Sequence, residues 1–291
     1  SFSCTNSQTE TIYISGSSEL LPLSQTLSDE YYIATDGRIN TVISATNAET
    51  GFKELCTGKA HITTSARPVT QSEITQCSDS SIKMIELPMA NLPLIVATNS
   101  VNQKSPQCLN SKELKDLWTG NNDLDLTLYK PETRSDLSKY LVNMFGETGE
   151  NISNNAPTKN SVLLDLTNDI NGIAYLDYLD YQSIGAYVSP VGLKTSSKKC
   201  SIPSYTGVND GSYDAFNRTL FLYIRHDLLK QDYLSGFAEL ALSKESIQIM
   251  SNIGYTTLDS NAYAENRIRL AERTTGSRYT SPNQKNGEQN R

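Results

Sequence analysis

Four short stretches of the chain place small hydroxyls or an arginine where a strand gives way to a helix or turn. Gly16-Ser17-Ser18 follows an apolar run and precedes a helical face made by Leu20, Leu23 and Leu27. Thr46-Asn47 follows the alternating run "NTVISAT" and precedes Glu49. Arg134-Ser135 precedes a helical segment at 136–145. The segment "TTSARP" at 63–68 supplies hydroxyls, Ser65 among them, and Arg67 at a strand end. N–H groups at a helix start carry partial positive charge, and with hydroxyls beside them they suit an oxyanion. Arginine adds a fork of donors that grips an oxyanion with two parallel hydrogen bonds. Taken singly, each stretch reads as an ordinary helix cap or turn, because Ser, Thr and Asn are the favoured N-cap residues. Taken in order, they point to one small anion received at the carboxyl ends of strands, where open α/β sheets bind ligands. Glu19, Glu49 and Asp136 stand in the same stretches and oppose a bare anion.

The elements that must carry these stretches alternate along the chain. "NAETGFKELC" reads as a helix, with Thr46 and Glu49 as a capping box. "AHITTSA" (60–66) is a strand, followed by Thr70 and Glu73 as a second capping box. The segment 81–98 holds two strands around Pro88. A second cycle begins near 100, with a helix at 110–118 capped by Asn110 and Glu113 and a strand at 125–130. In the helix at 135–145, Leu137, Tyr140, Leu141, Met144 and Phe145 share one face. Strands follow at 171–179 and 216–224, and Gly254 stops a helix at 243–255. A last helix is expected near 261–272, and the final ~15 residues, polar and aperiodic, are expected to be mobile. Strands alternating with helices give an α/β class with a parallel or mixed sheet covered on both faces.

Composition narrows the function. The chain has 291 residues, enough for two domains, with 37% hydrophobic and 20% charged residues. A net charge of −7 argues against nucleic acid as a partner, since phosphate backbones need clustered Lys and Arg. The longest apolar run, 92–97, is too short to span a bilayer. His61 and His226 are the two histidines, which excludes a His-rich metal site, and each reads as a polar residue at an element end. A hydrolase built on Ser17 or Ser18 lacks both a G-x-S-x-G elbow and a well-placed His. Neither a cofactor nor a metal is expected. Cysteines stand at 4, 56, 77, 108 and 200 with no CxxC pair. Four of them could form two bridges in an oxidising compartment. Cys4 is then left over. It stands before a polar Ser/Thr/Asn stretch in a chain that does not begin with Met, and reads either as a lipoprotein anchor after a removed signal segment or as a free thiol.

The ordered segments resemble the phosphate-binding proteins of bacterial ABC importers, within the periplasmic-binding superfamily. "ISGSSELLPLSQ" is similar to that family's G-S-S-T-x-x-P-L. The run from "TNAETGFKELC" to "SARPVTQSEITQC" is similar to its S-G-T-G-G-G-F-K-x-F-C … A-S-R-P run, both cysteines included. "CLNSKELKDLW", "NDINGIAYLDYLDY" and "GSYDAFNRTLFLYI" match three more segments in the family's order. The resemblance implies a type II binding-protein fold: two α/β lobes, a hinge and an interlobe ligand cleft. It implies lobe one at 8–96 plus 206–262, lobe two at 97–205, an anchor segment at 1–7 and a polar tail at 263–291. It also implies the bridges Cys56–Cys77 and Cys108–Cys200, each stabilising by ~3–5 kcal/mol through the unfolded state.

The family's ligand residues carry over to Ser17, Ser18, Thr46, Ser65, Arg67, Arg134 and Ser135. The partners implied are inorganic phosphate and the membrane permease of an ABC importer, for a monomer in the periplasm or at the cell surface. The loops match less well than the scaffold: Glu19 replaces a Thr, and "NAETG" replaces a Gly-rich run. Glu19 and Asp136 are expected to face solvent, and Glu49 to turn back to the Thr46 N–H. The same fold with a different oxyanion or polar solute is the alternative, as is a surface protein that kept the scaffold and lost binding. With both bridges formed, a thiol reagent applied to the native protein should modify no cysteine except an unlipidated Cys4. Modification at 56, 77, 108 or 200, read by mass spectrometry, would contradict the pairing.

Overall fold

The computed structural model describes residues 9–147, 158–194, 199–213 and 216–279. Cys4 and the anchor segment 1–7 lie outside the described residues, as does the tail from 280 on. Two compact units divide the chain. The first extends to Ala90 and takes in Thr219–Ile253 and the segment from Leu258; the second is Asn91–Arg218 with Gly254–Thr257. Residues 206–218, assigned to lobe one by resemblance, therefore group with the second unit. Tyr213 shows why: it is buried and its hydroxyl donates to Leu94 O at 2.9 Å.

The first unit opens with β1 (Glu10–Ser17), α1 (Leu21–Ala34), β2 (Ile39–Thr46), α2 (Ala48–Cys56), β3 (Ile62–Ser65), α3 (Gln71–Asp79) and β4 (Met84–Leu92). The second unit carries β5 (Leu94–Asn99), β6 (Cys108–Asn110), α4 (Ser111–Thr119), β7 (Thr127–Tyr129) and α5 (Asp136–Phe145). It continues with α6 (Lys159–Asn168), β8 (Gly172–Asp177), α7 (Tyr178–Ile184), β9 (Val188–Lys194), β10 (Cys200–Ser201) and α8 (Tyr205–Asn209). The chain then returns through β11 (Arg218–Arg225), α9 (Asp232–Ala241), α10 (Lys244–Ile253) and α11 (Ser260–Ala271). In the first sheet the strands run β4-β11-β3-β1-β2 as neighbours. In the second the order is β10-β9-β5-β8-β7, with β6 beside β9.

In the first unit β1 is parallel to both β2 and β3, and β11 is antiparallel to β3. Ile12 and Ile14 of β1 are buried, and so are Leu20, Leu23 and Leu27 on the helical face that follows. Two glycines let α2 press against this sheet. Gly16 has φ +144, and a Cβ there would lie 2.0 Å from Thr64 O. A Cβ on Gly51 of α2 would meet Gly16 Cα at 2.7 Å. Thr63 Oγ1 donates to Gly51 O at 2.8 Å and pins the helix at that distance.

Several boundaries differ from those expected. The break between β4 and β5 falls at Pro93, not Pro88. Pro88 stays inside the strand because α11 covers it, with Asn266 donating to Pro88 O at 2.5 Å and Tyr263 to Met89 O at 2.7 Å. Pro93 lacks an N–H and ends the ladder. The strand expected at 171–179 stops at Asp177, whose side chain accepts from Asp180 N at 2.8 Å and starts α7. Of the polar tail, 263–271 belongs to α11, and the segment after it docks on β4 through Gly276 N to Met84 O at 3.1 Å.

The two bridges are Cys56–Cys77 and Cys108–Cys200, with sequence separations of 21 and 92. The first joins α2 to α3. The second joins β6 to β10, and Gly192 leaves it room, since a Cβ there would lie 2.3 Å from Cys200 Sγ. Closing loops of these lengths stabilises by about 3 and 4–5 kcal/mol. Gly16→Ala should destabilise the fold by about 3 kcal/mol or more, because the new Cβ meets backbone that cannot move without separating β1 from β3. Thermal denaturation followed by circular dichroism checks this, and an unchanged midpoint contradicts it.

Candidate functional site

Parallel pairing brings the predicted residues of the first unit to one edge of its sheet. Ser17 is opposite Thr46, and Gly16 is opposite Thr64, so Ser17, Thr46 and Ser65 all end their strands at the carboxyl edge. Beyond β1, Ser18–Leu20 forms one 3-10 turn leading into α1. Ser17 and Ser65 are buried, Ser18 is half-buried and Thr46 is exposed. Three predicted residues, Ser17, Thr46 and Ser65, thus share one edge, with Ser18 and Arg67 on the segments that follow β1 and β3.

The carboxylates of these loops do not lie as expected. Glu19 is 4% exposed, and its Oε2 accepts from Ser17 Oγ at 2.5 Å. Asp136 is 3% exposed. Neither faces solvent; only Glu49 is exposed. The Thr46–Glu49 capping box is not formed either. Asn47 caps α2, its Oδ1 accepting from Thr50 N at 2.9 Å, while Thr46 Oγ1 donates to Gly16 O at 3.4 Å. Thr46 is still paired in β2, so the helix begins one residue later.

Ser65 and Arg67 build a tight turn. Ser65 Oγ donates to Arg67 O at 2.6 Å and accepts from Arg67 N at 3.3 Å. The Arg67 guanidinium lies 5.4 Å from the Phe52 ring centre. It grips Glu73 with both arms, Nη2 to Oε1 at 2.6 Å and Nη1 to Oε2 at 2.9 Å. Glu73 also completes the capping box of α3, with Oε2 accepting from Thr70 N at 2.8 Å while Thr70 Oγ1 accepts from Glu73 N. One carboxylate therefore serves as helix cap and as counter-ion. Arg67, Thr70 and Glu73 line an open pocket of about 430 Å³, to which Glu49 and Lys53 add one charge of each sign; Ser17, Ser18, Thr46 and Ser65 are not part of its lining. An oxyanion that took the Arg67 fork would have to displace Glu73.

In the second unit, Arg134 is exposed on the loop after β7. Ser135 caps α5, its Oγ accepting from Ser138 N at 3.1 Å. Asp136 and Ser138, both buried, lie in the first turn. Two residues here went unmarked in the sequence reading: Ser138 and Arg218. Arg218 is 2% exposed, with its guanidinium 5.8 Å from the Tyr140 ring centre. Tyr140 lies one turn beyond Asp136 and donates to Phe216 O at 3.3 Å. Burial pushes its phenol up to about 12, against the opposing pull of the Arg218 charge. An arginine opening the apolar run "TLFLYI" was the available signal. Arg134 and Ser135 come together at the start of α5, in a unit separate from the other five predicted residues.

Among the described residues, no cluster of three or more His, Cys, Asp or Glu could hold a metal ion. No described helix is long and apolar enough to cross a membrane.

Two α/β units, each with hydroxyl-bearing helix starts at its strand ends, define the architecture of a solute-binding protein. The chain belongs to the PBP superfamily domain family, whose model matches residues 4–245. It is 24% identical over 281 residues to the SphX protein of Synechococcus elongatus, covering 90% of this chain and 81% of that one. It is 22% identical over 269 residues to the phosphate-binding protein PstS of Staphylococcus saprophyticus, covering 88% and 82%. Its fold is shared with an ABC-type phosphate transport receptor from Vibrio cholerae, at a TM-score of 0.67 and 15% identity, over 86% of this chain and 100% of that one.

Glu73→Ala should remove the carboxylate half of the α3 capping box and release Arg67 together, leaving Thr70 as the N-cap. Loss of a carboxylate at a helix start alone costs about 0.3–1 kcal/mol. Chemical denaturation measures this, and an unchanged midpoint would show that Glu73 stabilises nothing.

Proposed function

We propose that this protein is the substrate-binding receptor of a phosphate ABC importer and that its ligand is inorganic phosphate. The observation that carries the reading is the shared carboxyl edge of β1, β2 and β3, where Ser17, Thr46 and Ser65 end their strands, with Arg67 two residues beyond Ser65. Relatives named as phosphate-binding protein and phosphate transport receptor support the same ligand. In this reading Ser17, Ser18, Thr46, Ser65 and Arg67 contribute from the first unit, and Arg134 and Ser135 from the second.

The buried Glu19 then has a use. Hydrogen phosphate carries a proton that a carboxylate can accept in a hydrogen bond; sulfate at neutral pH carries none and is repelled. One buried carboxylate facing the ligand suits a protonated oxyanion better than a fully ionised one; Glu19 and Asp136 are both buried, and a second one facing the ligand would count against phosphate. The receptor acts outside the cytoplasm, in the periplasm or at the cell surface, held there through Cys4 if that residue is lipidated. It works as a monomer without a cofactor, hands phosphate to a membrane permease and performs no catalysis.

A different solute is the second reading, favoured by the bidentate engagement of Arg67 by Glu73. Titration calorimetry with phosphate, arsenate, sulfate and phosphonates separates the two. Phosphate and arsenate should bind and sulfate should not. Arg67→Ala and Arg134→Ala should each weaken phosphate by tenfold or more. Heat with another solute and none with phosphate would favour the second reading, and no heat with any would point to a scaffold that has lost binding.

A further inference from the structure

Strand β4 carries a carboxylate that its surroundings do not explain. Glu86 lies in "MIELPM", a run otherwise apolar, and is fully buried. Burying a carboxylate is costly unless donors surround it, and an apolar residue of similar size would be the cheaper choice for stability alone. The donors come from two remote segments. Oε2 accepts from the Tyr223 hydroxyl at 3.0 Å and from Ser277 Oγ, and Oε1 accepts from Arg278 N at 2.8 Å.

Each segment leads elsewhere. Ser277 and Arg278 belong to the strap after α11. Gly276 bridges to Ile85, Arg269 donates to Gly276 O at 2.8 Å, and Arg278 pairs with Glu265. The Tyr279 ring packs edge-on to Phe221, with centres 5.1 Å apart. On the other side, the Tyr223 hydroxyl accepts from Val69 N at 2.9 Å, two residues beyond Arg67. Tyr223 also packs edge-on to Phe52, with ring centres 4.8 Å apart, and Phe52 is the ring beneath the Arg67 guanidinium. Burial pushes the Tyr223 phenol well up, with the Glu86 charge adding to it, so its proton stays on the oxygen and points to Glu86.

We propose that Glu86 and Tyr223 are positioning residues that couple the strap Thr274–Tyr279 to the Arg67 turn and so set the grip of Arg67 on its anion. The chain of contacts runs from Ser277 and Arg278 through Glu86 and Tyr223 to Val69. It lies within the first unit. The anion arm of the proposal rests on the phosphate reading above; the coupling itself does not.

The test uses the full chain with Tyr223→Phe and, as a milder change, Ser277→Ala. Amide hydrogen exchange is read at Val69 and, as a control, across β5 and β8. Tyr223→Phe should speed Val69 exchange tenfold or more and Ser277→Ala at least twofold, with the control amides unchanged. Phosphate affinity by calorimetry should fall at least fivefold in Tyr223→Phe. If Tyr223→Phe does not fold, Ser277→Ala decides the coupling alone. Unchanged Val69 exchange overturns the proposal, as does an equal rise at the control amides, which would mark a general loss of stability. Faster Val69 exchange with unaltered phosphate affinity overturns the grip. Absence of phosphate binding in the unmutated protein would defeat the receptor reading and leave the exchange data to decide the coupling.

Discussion

The contact between Gly16 and Gly51 sets the distances on which the first unit depends. A backbone-to-backbone approach this close is open only to residues without a Cβ. Thr63 fixes it with a hydrogen bond to the helix backbone. Because α2 lies that low on the sheet, its first turn comes level with the ends of β1 and β3. Ser17, Thr46 and Ser65 then share an edge, and Phe52 reaches the cluster of Val69, Phe221 and Tyr223 that supports Arg67. The Cys56–Cys77 bridge belongs to the same cluster and ties α2 to α3 at their far ends. The position of the binding loops is therefore a packing result before it is an electrostatic one.

Charge in the loops is balanced locally. Ser17 turns its hydroxyl to Glu19, Ser65 turns its own to the Arg67 carbonyl, and Arg67 holds Glu73. Asn47 and Ser135 spend side-chain oxygens on helix caps. In the phosphate reading, a ligand meets Ser17, Ser65 and Arg67 already holding partners. Binding is thus an exchange of partners, and its selectivity is set by which partners the ligand can replace. A species that brings its own proton can leave a buried carboxylate in place and still be accepted; a fully ionised one cannot.

The alternation of strands and helices was legible in the sequence because each element carries its own period and its own cap. Thr70 with Glu73 and Asn110 with Glu113 form the expected boxes, since those signals are local. Thr46 misled because its pairing with Ser17, a contact between strands, keeps it out of the helix. Pro88 misled because its cover comes from α11, far along the chain. The seven candidate site residues stood out only through the order of their stretches and the resemblance that order carries, as each loop alone is an ordinary cap. Nothing local distinguishes a buried Glu19 or Asp136 from a solvated one. Glu86 was equally hidden, because its donors come from Tyr223 and from a tail whose composition suggested no structure.

The pairing of Arg67 with Glu73 bears on how quickly such a protein could let go. A carboxylate tethered six residues away is present at a high effective concentration and never diffuses off. It competes with an incoming anion that reaches for the same two donors, so part of that attraction is cancelled before binding is counted. The same tether shortens the stay of whatever is bound, since the vacated fork is refilled at once. In a carrier that must surrender its cargo, a built-in rival for the grip trades some depth of capture for speed of delivery.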